Sequence, residues 1–146
     1  MCQASDRDAL WNHLVGSGLV AADEAAFDFL RIENGRPRFG RELTLDYIPL
    51  EANLWDDISF SKGCYIGQEI IARMDSRGKL AKRLMRLRAA APIAVGSEVL
   101  AEGRKVGTVT SAATGPAGAV ALGYVRTGAE NGRLTVNDVV VTVVGE

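Results

Sequence analysis

A cysteine stands in the stretch "FSKGCYIGQEIIARM", residues 60–74, among neighbours that could make its thiol reactive. Cys64 comes just before a segment of helical period that begins near Gly67, and the free N–H groups at a helix start stabilise a thiolate. Lys62 shares a face with Cys64 if the segment is extended, so its ammonium adds positive potential. Gly63 and Gly67 allow a tight turn and the close approach of a ligand. These residue types and spacings fit a reactive thiol.

Cys64 also has a structural interpretation of equal weight, because free cysteines are among the most buried residue types. The chain's single histidine, His13, is far away in sequence, which argues against a protease-like cysteine and against histidine-rich metal sites. The other cysteine, Cys2, forms no CxxC pair with Cys64, so we predict no metal site. One chain with two cysteines cannot supply the four thiolates of a permanently held iron–sulfur cluster.

The composition is that of a globular protein with a core of its own. The 146 residues are 47% hydrophobic and 24% charged, with a formal net charge of −1, and they suffice for one domain or two small ones. No apolar run has the length of a membrane span, and the first residues do not resemble a secretory signal. We therefore expect no membrane, and the small number of cysteines predicts a reducing, cytoplasmic setting.

Charge is unevenly distributed along the chain. The first 61 residues carry a net charge of −6, whereas residues 62–88 carry +6. We interpret the basic run first as a solvated strand and hairpin, with a positively lined site for an anionic ligand as the alternative. A nucleic-acid surface is disfavoured, because no aromatic residues are interleaved with the cations for base stacking.

Three segments have the apolar spacing of helices. The first spans residues 6–18, the second runs from Asp23 to Gly35, and the third begins near Gly67 and ends at Gly78. Their predicted apolar faces are Leu10, Trp11, Leu14 and Val15; Phe27, Leu30 and Ile32; and Ile70, Ile71 and Met74. We also expect Trp55 and the phenylalanines to lie in the core.

From Lys82 onward, five short β-prone runs alternate with turn residues, which predicts a small antiparallel barrel or sandwich. The runs are "RLMRLRA", "SEVLA", "KVGTVTSA", "VALGYV" and "DVVVTVV". The boundary between the mixed and the all-β parts falls between Gly78 and Lys82.

Two motifs resemble the YgfZ family, folate-binding proteins related to the glycine-cleavage T-protein (aminomethyltransferase) with a role in iron–sulfur cluster assembly or repair. "KGCYIGQE" is similar to the family signature K-G-C-Y-x-G-Q-E, and "RIENGRP" resembles an R-x-E-x-G-x-P element shared with the T-protein. The matching positions are Lys62, Gly63, Cys64, Tyr65, Gly67, Gln68 and Glu69, then Arg31, Glu33, Gly35 and Pro37. A further segment, Pro49, Glu51 and Ala52, stands in the family's order.

The resemblance implies an α+β fold. Residues 1–80 would be the C-terminal portion of a T-protein-like folate-binding domain, and residues 81–146 a small antiparallel β-barrel domain. The aspartate used in aminomethyl transfer belongs to the portion not represented, so the family leaves open whether this chain is an enzyme. Since half a domain leaves apolar surface uncovered, we expect residues 1–80 to expose an apolar face or the chain to self-associate.

The resemblance also implies the site residues. Cys64 is the working thiol with Lys62 beside it, and Glu33 binds the pterin of tetrahydrofolate, weakly or not at all in this chain. Four further candidates for the folate site are Arg31, Tyr65, Gln68 and Arg73. Three of the site residues have an ordinary alternative, since Glu33 could pair with Arg31 or Arg36, Arg73 with Glu69, and Tyr65 could be core.

The function implied is that of a folate-binding accessory protein, whose partners are iron–sulfur enzymes, such as those that modify tRNA, or cluster-assembly proteins. An aminomethyltransferase-like enzyme of one-carbon metabolism is the first alternative. The second is a non-catalytic binding module in which Cys64 is structural.

Overall fold

The computed structural model describes residues 3–78, 80–116 and 118–145, so Cys2 and Lys79 lie outside the described residues. Helix α1 spans Arg7–Gly16 after a short 3-10 turn, α2 spans Glu24–Glu33 and α3 spans Gln68–Arg77. Asp23 caps α2, because its carboxylate accepts a hydrogen bond from the backbone N–H of Ala26 at 2.8 Å. The predicted helices are therefore present.

Six antiparallel strands follow and close into a barrel in the order β1-β4-β3-β2-β5-β6. Their bounds are β1 Lys82–Ala89, β2 Glu98–Ala101, β3 Arg104–Gly115, β4 Gly118–Arg126, β5 Leu134–Val136 and β6 Val139–Val144. The sequence predicted five strands, and the correction is β5, which has only three residues and so carries almost no alternation. The fold class, α+β with a small antiparallel barrel, is confirmed.

Two hairpin turns connect neighbouring strands of this barrel with only two residues each. Glu102 and Gly103 have φ of 51° and 75°, and Asn137 and Asp138 have φ of 48° and 64°. Positive φ at both central residues is what a type I′ turn requires, and its twist matches that of the strands it joins. In the sequence, "ND" at residues 137–138 is a weaker signal for such a turn than the glycine-containing pair at residues 102–103.

The barrel interior is filled by small and branched apolar side chains. Fully buried members include Leu87, Val99, Val109 and Leu134. In β3 the register shifts between Val109, which points inward, and Ser111. A β-bulge of this kind changes which way the following side chains point. The Ser111 hydroxyl therefore lies on the outer surface of the barrel, although it is two residues beyond an interior valine.

A second apolar cluster joins the outer face of the barrel to the residues before it, and we call this junction the seam. Its buried members are Ile32, Ala52, Leu84, Val120, Leu122 and Tyr124. Phe29 of α2 packs so closely on β3 that a Cβ added to Gly115 would lie 2.2 Å from the phenylalanine ring. Glycine at position 115 is thus required by the docking of α2.

The predicted apolar faces of the helices are mostly not buried, which corrects the core assignment. All four residues of the predicted α1 face are exposed, as are Phe27, Leu30, Ile70 and Trp55. In α2 the buried residues are Arg31 and Ile32, because the face that docks on the barrel is offset from the Phe27–Leu30 face. Of the predicted face of α3, Ile71 is buried. Periodicity found these helices but did not show which of their faces is covered.

Candidate functional site

The cysteine loop, residues 60–67, leads directly into α3. Cys64 is a free and exposed cysteine. Gly67, immediately before Gln68 at the helix start, has φ of 92°, a conformation that side chains rarely adopt. The thiol therefore lies in an exposed loop four residues ahead of the helix, the placement that a thiol acting on an external molecule needs.

Lys62 and Tyr65 form a pair within the same loop. The Lys62 ammonium lies 4.9 Å from the centroid of the Tyr65 ring, a cation–π contact, and its backbone N–H donates to the Ser59 hydroxyl at 3.2 Å. Tyr65 and Gln68 are half-buried. The described contacts of Lys62 are thus with the tyrosine and the serine, and its expected influence on Cys64 stays a prediction.

Arg73 adopts the ordinary arrangement expected of an i,i+4 pair on α3. Its guanidinium lies 2.6 Å from the Glu69 carboxylate, with both side chains more than half exposed. Such a surface pair contributes little to stability. Arg77, the next residue in that row, has a side chain outside the described residues, and a ligand contact for Arg73 stays a prediction.

Glu33 is the last residue of α2 and lies at the seam. Its Oε1 accepts a hydrogen bond from Arg88 Nη2 at 3.0 Å, and its backbone carbonyl accepts one from Arg86 Nη1 at 3.1 Å. The alternative in which Glu33 pairs with Arg31 or Arg36 is therefore wrong, because the partner of its carboxylate is Arg88. Both interacting arginines come from β1, more than fifty residues along the chain.

Arg31 is buried in a polar network that fastens α2 to the barrel. Its guanidinium donates to Asp28 at 2.6 Å, to Glu42 at 3.2 Å and to Ser111 at 2.8 Å, and Ser111 donates to Glu42 at 2.5 Å. The Glu42 side chain is fully buried. With its donors used in this way, Arg31 has a structural role in the seam, and its cofactor contact stays a prediction.

Electrostatics within this network favour the charged form of Asp28. Burial raises the pKa of this carboxyl, but hydrogen bonding and charge from Arg31, Arg41 and Arg38 outweigh burial and lower the pKa overall. Because its pKa is lowered on folding, this carboxyl stabilises the fold at pH values above 3.8, the pKa in the unfolded chain. That contribution is lost as the pH falls through the lower, folded-state value.

Two tyrosines stack where the loop before the barrel meets β4. The Tyr47 and Tyr124 rings lie 3.5 Å apart at 7°, the Tyr124 hydroxyl donates to the Glu42 carbonyl at 2.9 Å, and the Lys82 ammonium lies 4.3 Å from the Tyr47 centroid. Burial is the main cause that raises the pKa of both tyrosines. Both rings therefore stay neutral well into alkaline conditions.

The predicted site residues fall into two separate places. Glu33 and Arg31 belong to the seam, whereas Lys62, Cys64, Tyr65, Gln68 and Arg73 belong to the cysteine loop and α3. Among the described residues other than Arg73, no hydrogen bond, ion pair or ring contact joins residues 60–74 to residues 31–42. The crevice beside Glu33 holds only about 10 Å³, although a cavity of about 320 Å³ borders the neighbouring Asn34 and Gly35.

Sequence reasoning missed the outward face of β1. Lys82, Leu84, Arg86 and Arg88 alternate with the interior residues, and all four contact the region before the barrel. Leu84, for example, donates its backbone N–H to the Glu51 carbonyl at 2.7 Å. The strand was expected to be solvated. The signal that could have corrected this was the period of two in its basic residues.

Neither a bilayer-spanning helix nor a cluster of metal-ligating side chains is present in the described part of the chain. It contains no helix that is both long enough and apolar enough to cross a bilayer. Nor do its described residues bring together three or more histidine, cysteine or acidic side chains that could hold a metal ion.

Comparison with known proteins identifies relatives of both regions. Residues 82–145 match the family described as the CAF17 C-terminal beta-barrel domain. A chloroplastic protein of Arabidopsis thaliana that is named as a transferase is 40% identical over 120 residues, 81% of this chain and 28% of its own. The tRNA-modifying protein YgfZ of Sodalis glossinidius is 39% identical over 114 residues, 73% of this chain and 34% of its own. The chain thus spans about a third of these relatives' length.

A solved structure has the same fold. The glycine cleavage system aminomethyltransferase T from Bartonella henselae superposes with a TM-score of 0.83, over 97% of this chain and 43% of that one, at 23% sequence identity. The overlap includes the region before the barrel as well as the barrel itself.

Proposed function

We propose that this chain, which is similar to CAF17, YgfZ and aminomethyltransferase proteins, acts as a folate-binding accessory protein for iron–sulfur cluster assembly or repair. One observation carries this proposal: Cys64 is exposed in the KGCYIGQE loop directly ahead of α3. A purely structural cysteine would be expected to be buried. Cys64 is the thiol that acts in this function.

The role of Cys64 is to present a single thiol to another protein. Its exposure makes the sulfur accessible. One exposed thiol cannot hold a cluster alone, so the remaining ligands come from the client or assembly protein. The partners are therefore iron–sulfur enzymes or assembly proteins that receive or present a cluster at this loop.

Glu33 fits the recognition of tetrahydrofolate, which carries one-carbon groups when bound. The Glu33 side chain is one-third exposed, and a carboxylate has room for further hydrogen bonds besides the one from Arg88 to Oε1. It can accept two from a 2-amino-pyrimidinone edge, while Arg88 holds the carboxylate in place. The small crevice beside Glu33 gives the ring little enclosure, so we expect weak binding by this chain.

The thiol role is tested by complementation in cells that lack this protein. Cys64→Ser should abolish support of iron–sulfur enzyme activity, whereas its melting temperature should stay that of the wild type because an exposed side chain is changed. Cys2→Ser is the matched control and should retain support. Equal support by the two variants would refute a working thiol at position 64.

The folate role is tested by titrating the chain with 5-formyl-tetrahydrofolate and following backbone amide resonances. Shifts should centre on residues 33–35 and should disappear in Glu33→Gln, which keeps the shape but removes the charge. Glu69→Gln, on exposed α3, is the control and should behave as the wild type. Identical shifts in Glu33→Gln and the wild type would remove Glu33 from the folate site.

A further inference from the structure

A cleft of about 470 Å³ lies where β1, β3 and β4 meet the loop that carries Tyr47. Three cationic side chains line it, one from each strand: Lys82, Lys105 and Arg126. No acidic side chain is among its lining residues in the described part of the chain. Its size is within the range of pockets that bind small molecules.

Two of these cations face each other across the sheet. Lys82 and Arg126 are directly opposite partners in the β1–β4 ladder. Like charges at opposite positions destabilise a sheet, so fold stability alone does not account for this pair. Arg126 is exposed, and its side chain makes no hydrogen bond or ion pair with any other described residue.

The cleft also has a fixed wall. The Lys82 ammonium donates to the Asp46 carbonyl at 3.3 Å and lies against the Tyr47 ring, which stacks on buried Tyr124. The ammonium is therefore held in position before any ligand arrives, with donor capacity left over. Thr108 adds a hydroxyl from β3.

Lys105 can join this pair without loss of a strong contact. Its ammonium lies 2.8 Å from the Glu98 carboxylate, with both side chains more than half exposed. An exposed ion pair of this kind is weak and exchanges readily. Asp46, a second nearby acid, accepts at its carboxylate from the Thr44 hydroxyl within its own turn.

We propose that this cleft binds the phosphate group of a small anionic ligand. A guanidinium and two ammonium groups suit a multiply charged oxyanion, and the planar fork of arginine matches phosphate geometry. The site is distinct from the proposed folate contact, because Lys82 and Arg88 lie at opposite ends of β1, about 20 Å apart at the usual strand rise. Glu33, at the far end, would repel a phosphate.

The test is titration of the chain with pyrophosphate at constant ionic strength, followed by amide resonances and calorimetry. We expect saturable shifts at Lys82, Thr108 and Arg126. Loss of one charged hydrogen-bond donor should weaken binding about tenfold in Arg126→Gln and in Lys105→Gln. Arg104→Gln, an exposed cation at the start of β3 outside the cleft, should bind as the wild type.

Three results would overturn the proposal. The first is a linear, unsaturable response to pyrophosphate in the wild type. The second is equal weakening by Arg104→Gln and Arg126→Gln, which would indicate attraction to overall charge only. The third is that glutarate binds as tightly as pyrophosphate, which would mean that the cleft recognises carboxylates rather than phosphate. Substitution of exposed Arg126 leaves the core untouched, so amide spectra of the variant verify its fold directly.

Discussion

The barrel and the residues before it differ in how completely they bury apolar side chains. Among the described residues, sixteen large apolar side chains are exposed, and fourteen of them belong to residues 3–78. The barrel contributes only Val95 and Val140. A closed sheet pairs every strand with two neighbours and surrounds its own core, whereas α1 buries none of its residues.

This difference indicates where the order of the first region originates. Its buried residues lie in the segment from Arg31 to Ala52 and in Ile71, and the Arg31–Ala52 segment packs on the outer face of the barrel through the seam. The barrel is therefore a template on which α2 and the following loop are held. The candidate site residues are divided in the same way, since Glu33 is held by contacts with the barrel while Cys64 lies in a loop outside the seam.

The substitution Arg31→Ala should have the largest effect that is confined to one of the two regions. It leaves buried Glu42 without its cationic partner, and breaking such a pair costs about 3–5 kcal/mol. Urea unfolding followed by the fluorescence of Trp11 and Trp55, the chain's only tryptophans, reports on the first region alone. That transition should move to lower urea, while hydrogen exchange of the barrel amides stays slow.

Arg41→Ala is the matched control, because Arg41 pairs with Asp28 at the exposed edge of the same network. Its cost should stay below about 1 kcal/mol. Equal losses in the two variants, or fast exchange throughout the barrel in Arg31→Ala, would contradict a seam that stabilises only one side.

Leu134→Ala tests the opposite dependence. Leu134 is buried in the barrel core, and truncation should cost about 2–5 kcal/mol through lost burial and a cavity. Because the first region is docked on the barrel, tryptophan fluorescence and far-UV circular dichroism should both shift to lower urea. Val140→Ala, at a partly exposed position of β6, should change the midpoint little. An unchanged urea midpoint of the fluorescence transition in Leu134→Ala would show that residues 3–78 are stable without the barrel.

Alkaline pH should weaken the seam through its stacked tyrosines. Burial, then the neighbouring Tyr47 and the Glu51 and Glu42 carboxylates, raise the pKa of Tyr124. Above the unfolded-chain value of 10.0 the unfolded chain releases protons that the folded chain keeps, so stability falls as pH rises. The slope reaches at most about 1.4 kcal/mol per pH unit for each tyrosine. Urea midpoints between pH 9 and 11 should fall less steeply in Tyr47→Phe, and an unchanged slope would remove Tyr47 from this effect.

The smallest effect on stability should come from Leu45→Ser. Leu45 is fully exposed on an apolar groove that also includes Phe39 and Leu54, so its replacement should alter the free energy of unfolding by no more than about 0.5 kcal/mol. We expect the wild type to self-associate through such surface and Leu45→Ser to do so less. Sedimentation velocity measures both, with Val95→Ser on the barrel as control. A monomeric wild type at high concentration would contradict the expectation.

The sequence predicted the local elements well. The start of α2 near Asp23, the helix beginning after Gly67 and the strand-rich tail from Lys82 all depend on short-range signals, and these were predicted. The three-residue strand Leu134–Val136 was missed because it is held by pairing with β2 and β6, which no local pattern reveals.

Long-range placement was harder to predict for the same physical reason. Spacing showed that Leu10, Trp11 and Phe27 share helix faces, but not whether anything covers those faces. The motifs located Cys64 and Glu33, yet the pairing of Glu33 with Arg88 spans 55 residues and depends on how α2 docks. Ser111 hydrogen-bonds to Glu42 only because a bulge in β3 turns its hydroxyl outward, and no residue type in the sequence predicts that bulge.

The structure of β1 restricts where residues can be inserted into or deleted from the chain. Its two faces serve different neighbours, with Met85 and Leu87 inside the barrel and Leu84, Arg86 and Arg88 on the seam. Deleting a single residue within β1 would exchange these faces, so that arginines enter the apolar interior while leucine leaves it. Insertions or deletions inside this strand should therefore unfold both regions at once.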